Sequence, residues 1–131
     1  MVEMLRGLKI VVIIDIIVAF IYGFLYLLIP EYYAELSDSP TFDIHMWRIV
    51  GGTIIVLGIG AIIGLKRSEW ESFKPVLEVA ILWFFMAVIL DTTRVLTCTA
   101  SQTYIISMVR TIVILIGLII ANSYFYYRQS K

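Results

Sequence analysis

Six ionisable side chains stand inside, or at the edges of, long apolar segments of the sequence: Asp15, Arg48, Glu78, Asp91, Arg94 and Arg110. A charge in hydrocarbon costs several kcal/mol, with estimates from about 2.5 to above 10, so such residues are functional candidates by default. Their positions along the segments sort them into two layers. Asp15 and Glu78 lie near one boundary, and the other four residues lie near the opposite one.

The carboxylates of Asp15 and Glu78 form the first candidate site. Two acidic groups at one depth are typical of proton-coupled carriers, in which a carboxylate exchanges a proton for a cation. Glu78 has a competing explanation, because Lys74 lies one helical turn earlier on the same segment. Asp15 has no such local partner, so we expect it to be neutral or to accept a hydrogen bond from a Tyr, Ser or Thr side chain.

The second layer combines one acid with three arginines. Asp91 and Arg110 lie at similar distances on either side of a short turn, so we expect them to pair on adjacent antiparallel helices. Asp91 and Arg94 share a helix face. Together with Arg48 they predict a polar network that either fixes the register of the helices or binds an anionic group. The excess positive charge is expected to meet lipid phosphate, an anionic ligand or three acidic residues of a nearby loop: Glu31, Glu35 and Asp43.

Composition narrows the classes of protein and of site. The chain has 131 residues, of which 61% are hydrophobic and 15% charged, and its mean hydropathy is +0.97. An ordinary soluble domain carries about 25% charged residues. Because the net charge is zero, the chain lacks the excess positive charge that attracts nucleic acid. Because Cys98 and His45 are each alone, the chain forms no internal disulfide, thiol-only metal site or two-histidine haem or zinc site. We therefore expect no cofactor, no metal and no catalysis.

Four segments are long and apolar enough to cross a bilayer as helices, which takes about 20 residues each. They cover approximately residues 8–29, 46–65, 74–96 and 103–127, with Pro75 in the first turn of the third. The first run is longer than the apolar part of a cleaved signal peptide. The sequence thus predicts one all-α domain, an integral membrane four-helix bundle.

Lysine and arginine predict the orientation of this bundle. They flank the membrane at the N-terminus, between the second and third spans, and at the C-terminus: Arg6, Lys9, Lys66, Arg67, Lys74, Arg128 and Lys131. The 30–46 connection on the other side is acidic, and its EYYAEL stretch suits a short surface helix. We expect both termini to be cytoplasmic and the protein to be a multi-pass protein of a prokaryotic plasma membrane.

Small residues predict where the helices meet, because lipid is as apolar as leucine and association depends on close contact. Five of the eight glycines fall in the second span, and a sixth lies in the fourth: Gly51, Gly52, Gly58, Gly60, Gly64 and Gly117. Gly60 and Gly64 have the small-xxx-small spacing. This glycine-rich span is either the thin central member of the bundle or a seam between two copies of the chain.

The stretch MWRIVGGTIIVLGIGAIIGLKR, at residues 46–67, resembles a family of small uncharacterised four-helix membrane proteins of bacteria and archaea with Arg-x-x-Gly-Gly at the start of the second span. The resemblance implies a four-helix fold and no biochemical activity. It also implies that Arg48, Gly51 and Gly52 serve packing and anchoring. The small multidrug transporters also have four spans and a carboxylate in the first, but the rest of their pattern is missing here.

These patterns predict an accessory or structural subunit of a membrane protein complex, partnered by the lipid bilayer and by other membrane subunits or itself. The alternative is a small proton-coupled carrier, or a membrane protein that binds a lipid or an anionic ligand. A polar cavity between the first, third and fourth spans favours the carrier. A flat apolar face that meets another chain favours the subunit.

Overall fold

The computed structural model describes residues 2–97 and 99–131, so Cys98 lies outside the described residues. Its helices are α1 (Arg6–Leu28), α2 (Pro30–Leu36), α3 (Ile44–Arg67), α4 (Trp70–Thr97) and α5 (Gln102–Ser130). All except α2 are long and apolar enough to cross a membrane. Most of their large apolar side chains point outward, as expected where lipid is the solvent. The chain is therefore an all-α protein with four candidate membrane-spanning helices packed together.

Local chemistry sets the ends of several helices. The carboxylate of Asp43 accepts hydrogen bonds from the backbone N–H groups of His45 and Met46 at 3.0 and 3.2 Å, which caps the start of α3. Ser101 caps α5 in the same way through Tyr104 N–H at 3.2 Å. Ser68 ends α3 with a left-handed backbone, φ 56°, and its N–H bonds to Gly64 O.

The third span begins earlier than the sequence predicts. Helix α4 starts at Trp70, so Pro75 stands inside the helix and not in its first turn. The N-terminal segment explains the early start, because Trp70 N–H donates to Val2 O at 3.0 Å and Met4 N–H donates to Ser68 O at 3.3 Å. These bonds hold the chain before Pro75 in place.

The long helices form a ring in the order α1, α3, α4, α5, with α5 returning to α1. The closest backbone approach joins α1 and α3, where a Cβ on Gly51 would lie 2.7 Å from Leu27 N and 2.8 Å from Gly23 O. Glycine at this crossing allows the two backbones to touch. Gly58 lies against Ala19 and Phe20 of α1, and Gly64 lies under the Phe73 ring.

The other glycines expected to pack have open space beside them. A Cβ on Gly52, Gly60 or Gly117 would meet nothing within 4 Å in the described part of the chain. Gly60 and Gly64 therefore do not act as one small-residue seam inside the bundle. Gly23 of α1 supplies the partner surface for Gly51, although no pattern in the sequence singles out Gly23.

Both termini and the α3–α4 loop meet at one end of the bundle, here called the terminal end. Gln129 near the C-terminus accepts from Leu5 N–H at 2.6 Å and donates to Glu3 O at 3.1 Å. A buried cluster fills this end: Met4, Leu8, Val12, Trp70, Phe73 and Leu77. Helix α2, the acidic 37–43 segment, the end of α4 and the start of α5 lie at the opposite end, here called the loop end.

Candidate ligand-binding cavity

A cavity of about 380 Å³ lies between the four long helices. Its wall is almost entirely apolar, and every long helix contributes to it. Two carboxylates also line it, Asp15 from α1 and Asp91 from α4. Since α1 leaves the terminal end and α4 approaches the loop end, the rise of about 1.5 Å per residue places Asp15 nearer the terminal end and Asp91 nearer the loop end. A cavity of this size suits a small molecule.

Asp15 is held by an asparagine from α5. Asn122 Nδ2 donates to Asp15 Oδ1 at 3.0 Å and to Leu118 O at 2.8 Å. Asn122 is fully buried, and its Oδ1 has no hydrogen-bond partner among the described residues. The Asp15 side chain forms its one hydrogen bond with the described residues through Oδ1. No pattern in the sequence identified Asn122 as the partner of Asp15. It is the only asparagine of the chain, and it lies about as far from the terminal end as Asp15 does.

Neither carboxylate of the cavity forms an ion pair. Within residues 2–97 and 99–131, the only pair with nitrogen and oxygen within 4 Å joins Lys9 and Glu3, at the surface of the terminal end. Among the described residues, the partner of the Asp15 side chain is therefore a neutral amide and not a cation. Asp91 lies one helical turn before Arg94, which is the cation that influences it electrostatically.

Aromatic side chains form much of the cavity wall: Tyr22, Tyr26, Phe73, Trp83 and Phe84. Tyr26 is held at the loop end by edge contacts with Tyr33 and Trp47, at ring-centroid distances of 5.4 and 5.2 Å. Trp47 also contacts Phe42 at 5.2 Å. These rings form a cluster that supports this end of the cavity. Aromatic faces attract cations as well as apolar groups.

The two acids expected to share one site are separate. Glu78 accepts a hydrogen bond from Tyr126 of α5 at 2.5 Å and does not line the cavity. It also forms no ion pair with Lys74 in the described part of the chain. The sequence pattern did not single out Tyr126 as a partner of Glu78.

The expected pair of Asp91 and Arg110 is absent, since their charged groups do not come within 4 Å. Arg110 Nη2 instead approaches Ser107 Oγ at 3.4 Å, one turn away on the same helix. Arg94 donates to Thr41 Oγ1 in the acidic loop and lies 5.8 Å from the Tyr104 ring centroid. The prediction of this pair is wrong because equal depth on neighbouring helices does not determine which way each side chain points.

Arg48, the fourth member of the expected network, is exposed and has no hydrogen bond or ion pair with another described residue. The four residues therefore divide into separate contacts. Contacts with the Thr41 hydroxyl, the Ser107 hydroxyl and the Tyr104 ring take the places of the expected ion pairs.

No protein-family model, curated protein or solved structure matches this chain. The class is therefore defined by the fold and the cavity: an all-α protein whose four candidate membrane-spanning helices surround an apolar cavity with two acids in its wall.

Proposed function

We propose that the protein is a small proton-coupled carrier that binds an apolar organic cation between its four long helices. The observation that carries the proposal is the cavity of about 380 Å³, in whose wall the Asp15 carboxylate has no cationic partner within 4 Å among the described residues. The arrangement expected of a carrier is a polar cavity between the first, third and fourth spans. This cavity differs from it, because α3 also borders it and its wall is mostly apolar, so the proposal depends on the carboxylate in that wall.

Asp15 is half-buried. A carboxylate without a paired cation is costly as an anion in hydrocarbon, so it needs either a proton or a bound cation. Asn122 occupies Asp15 Oδ1, and Oδ2 is left for that purpose. When a cation arrives, the Asp15 O–H bond breaks, its electron pair stays on the carboxylate and the proton passes to water. The reverse step releases the cation.

The wall determines which cations suit the cavity. Hydrated metal ions and polar amines lose their solvation without replacement in an apolar wall. A quaternary or tertiary amine with an aromatic or branched aliphatic body gains burial on the wall and cation–π attraction from rings such as Tyr22 and Trp83. We therefore propose lipophilic monocations as the ligand class.

Equilibrium dialysis of the detergent-solubilised protein against radiolabelled benzyltrimethylammonium tests this proposal. An ion pair at about 4 Å is worth about 4 kcal/mol at an effective dielectric constant near 20. After the desolvation cost, Asp15→Asn should still weaken binding at least about tenfold. Glu78→Gln is the matched control, because it removes a carboxylate outside the cavity. Binding should also weaken as the pH falls, since protons compete for Asp15.

Saturable binding that is equal in the wild type and in Asp15→Asn overturns the proposed site, and absence of saturable binding overturns the proposed ligand class. If the site holds, vesicles with an imposed pH gradient should accumulate the cation only when they contain the wild-type or the Glu78→Gln protein. The clustering of Lys and Arg beside the terminal end supports a cytoplasmic location for both termini in a prokaryotic plasma membrane.

An accessory subunit without catalysis of its own is the second candidate function. The outward position of Gly52 and Gly60 on α3 favours it, because a neighbouring helix can approach closely at open glycines. Native electrophoresis of gently solubilised membranes tests it. A larger species that is lost in Gly52→Leu and kept in the lipid-facing control Val56→Leu supports a subunit, and a single small species in the wild type contradicts it.

A further inference from the structure

A second cavity, of about 320 Å³, lies at the loop end between α2 and the start of α5, apart from the cavity of the proposed carrier. From α5 it is lined by Thr103, Ile106, Ser107 and Arg110, which recur at helical spacing and form one stripe. From α2 and its end it is lined by Tyr33, Leu36 and Ser37. The residues around this space therefore carry one guanidinium and four hydroxyl groups, of which that of Ser37 donates to Tyr33 O.

Arg110 has no anionic partner in this space. Its recorded contact in the described chain is the 3.4 Å approach of Nη2 to Ser107 Oγ, which leaves most of its five N–H donors free. Helix α5 begins at Gln102, so the rise of about 1.5 Å per residue places Arg110 roughly 12 Å below the loop end. An unpaired guanidinium at the edge of the hydrocarbon layer is costly, and an anion beside it offsets that cost.

The acidic residues of the loop end do not fill this role. Glu31 and Glu35 are both exposed and are two residues away from Tyr33 on either side, which places them on the opposite face of α2. Neither they nor Asp38 and Asp43 form an ion pair with Arg110 within 4 Å in the part of the chain that the structure describes. The cavity therefore presents a positive group and hydroxyl donors while the carboxylates of α2 face away.

We propose that this cavity binds a phosphate group, with Arg110 as the charged anchor and the hydroxyls of Thr103, Ser107 and Tyr33 as additional donors. Guanidinium matches the fork of phosphate oxygens, and hydroxyl groups complete the coordination of such an anion. Apolar side chains of Leu36 and Ile106 border the same space and suit the glycerol and first methylene groups of a phospholipid. The phosphate comes from a membrane lipid or from a free phosphate compound.

The test uses native mass spectrometry of the full chain released from detergent with one added compound at a time. The compounds are phosphatidylglycerol, a diacylglycerol with the same acyl chains and no phosphate, and inorganic phosphate. Because a hydrogen-bonded charge is worth about 1.5–3 kcal/mol, Arg110→Gln should reduce phosphatidylglycerol binding at least about tenfold. Arg48→Gln, the exposed loop-end arginine outside this cavity, should change it less than about twofold.

Thr103→Val supplies a second variant that removes one hydroxyl at an exposed position without changing charge, and it should reduce binding by about twofold to tenfold. If phosphatidylglycerol binds and inorganic phosphate neither binds nor displaces it, the source is a lipid headgroup. If inorganic phosphate binds or displaces it, the source is a free phosphate compound. Four results would each overturn the proposal. Two concern the wild type: diacylglycerol binds as well as phosphatidylglycerol, or neither phosphate compound binds. The other two concern the variants: Arg110→Gln and Arg48→Gln lose binding equally, or neither cavity variant loses binding.

Discussion

Replacing Gly51 by alanine tests the crossing on which the bundle depends. The new Cβ would lie 2.7 Å from Leu27 N and 2.8 Å from Gly23 O, whereas ordinary contacts begin at 3.4 Å. Both neighbours are backbone atoms, so a rotamer change does not relieve the clash and α1 must move away from α3. Overpacking of this kind costs about 1–3 kcal/mol. We expect Gly51→Ala to lower the free energy of unfolding by that amount.

The next residue is a matched control. A Cβ on Gly52 meets nothing within 4 Å, so Gly52→Ala should not lower the free energy of unfolding and should raise it by up to about 1 kcal/mol, because alanine favours a helix over glycine. Gly23→Ala should fall between the two, because its nearest neighbour, at 2.5 Å, is Ile55 Cγ1 of a side chain that can adjust.

Unfolding of the three variants by increasing SDS mole fraction in mixed micelles, followed by circular dichroism, measures these differences. Equal stability of Gly51→Ala and Gly52→Ala, or a more stable Gly51→Ala, refutes the close approach of α1 and α3.

Two further substitutions test the polar contacts between distant parts of the chain. Asn122→Leu removes the amide that donates to Asp15, so it should lower stability by about 1–3 kcal/mol in the same SDS titration. In a protein that already carries Asp15→Leu, Asn122→Leu should cause no further loss of stability. Full additivity of the two losses would contradict the contact. Gln129→Ala removes both bonds to the N-terminal segment, so hydrogen exchange at the Leu5 amide should accelerate while amides in the middle of α3 stay protected. Unchanged exchange at Leu5 would show that other contacts hold this segment.

The sequence predicted the four long helices because each span is an apolar run of sufficient length, a property that does not depend on its neighbours. The prediction of an all-α protein with four such helices packed together is confirmed. A short helix at EYYAEL is also present as α2. The start of α4 was missed because it depends on backbone bonds from residues far away in sequence, such as Val2 to Trp70.

The partners of the ionisable residues were not predictable in the same way. The position of a residue in the sequence gives its depth in the bundle, but the rotation of each helix about its axis decides which neighbour the residue meets. Hydropathy does not predict that rotation, because lipid and the interior of the bundle are similar in polarity. Asp15 thus meets Asn122 from α5, and Glu78 meets Tyr126. For the same reason, Gly51 faces α1 while its neighbour Gly52 faces open space.

Proton release during cation binding tests the proposed carrier most directly. A weakly buffered solution of the detergent-solubilised protein with a pH indicator is titrated with benzyltrimethylammonium, near the pH at which binding weakens. We expect the wild type and Glu78→Gln to release up to about one proton for each cation bound, because the two ligands compete for one carboxylate. Asp15→Asn should release none. Saturable binding without proton release, or release that persists in Asp15→Asn, would contradict the exchange of proton and cation at Asp15.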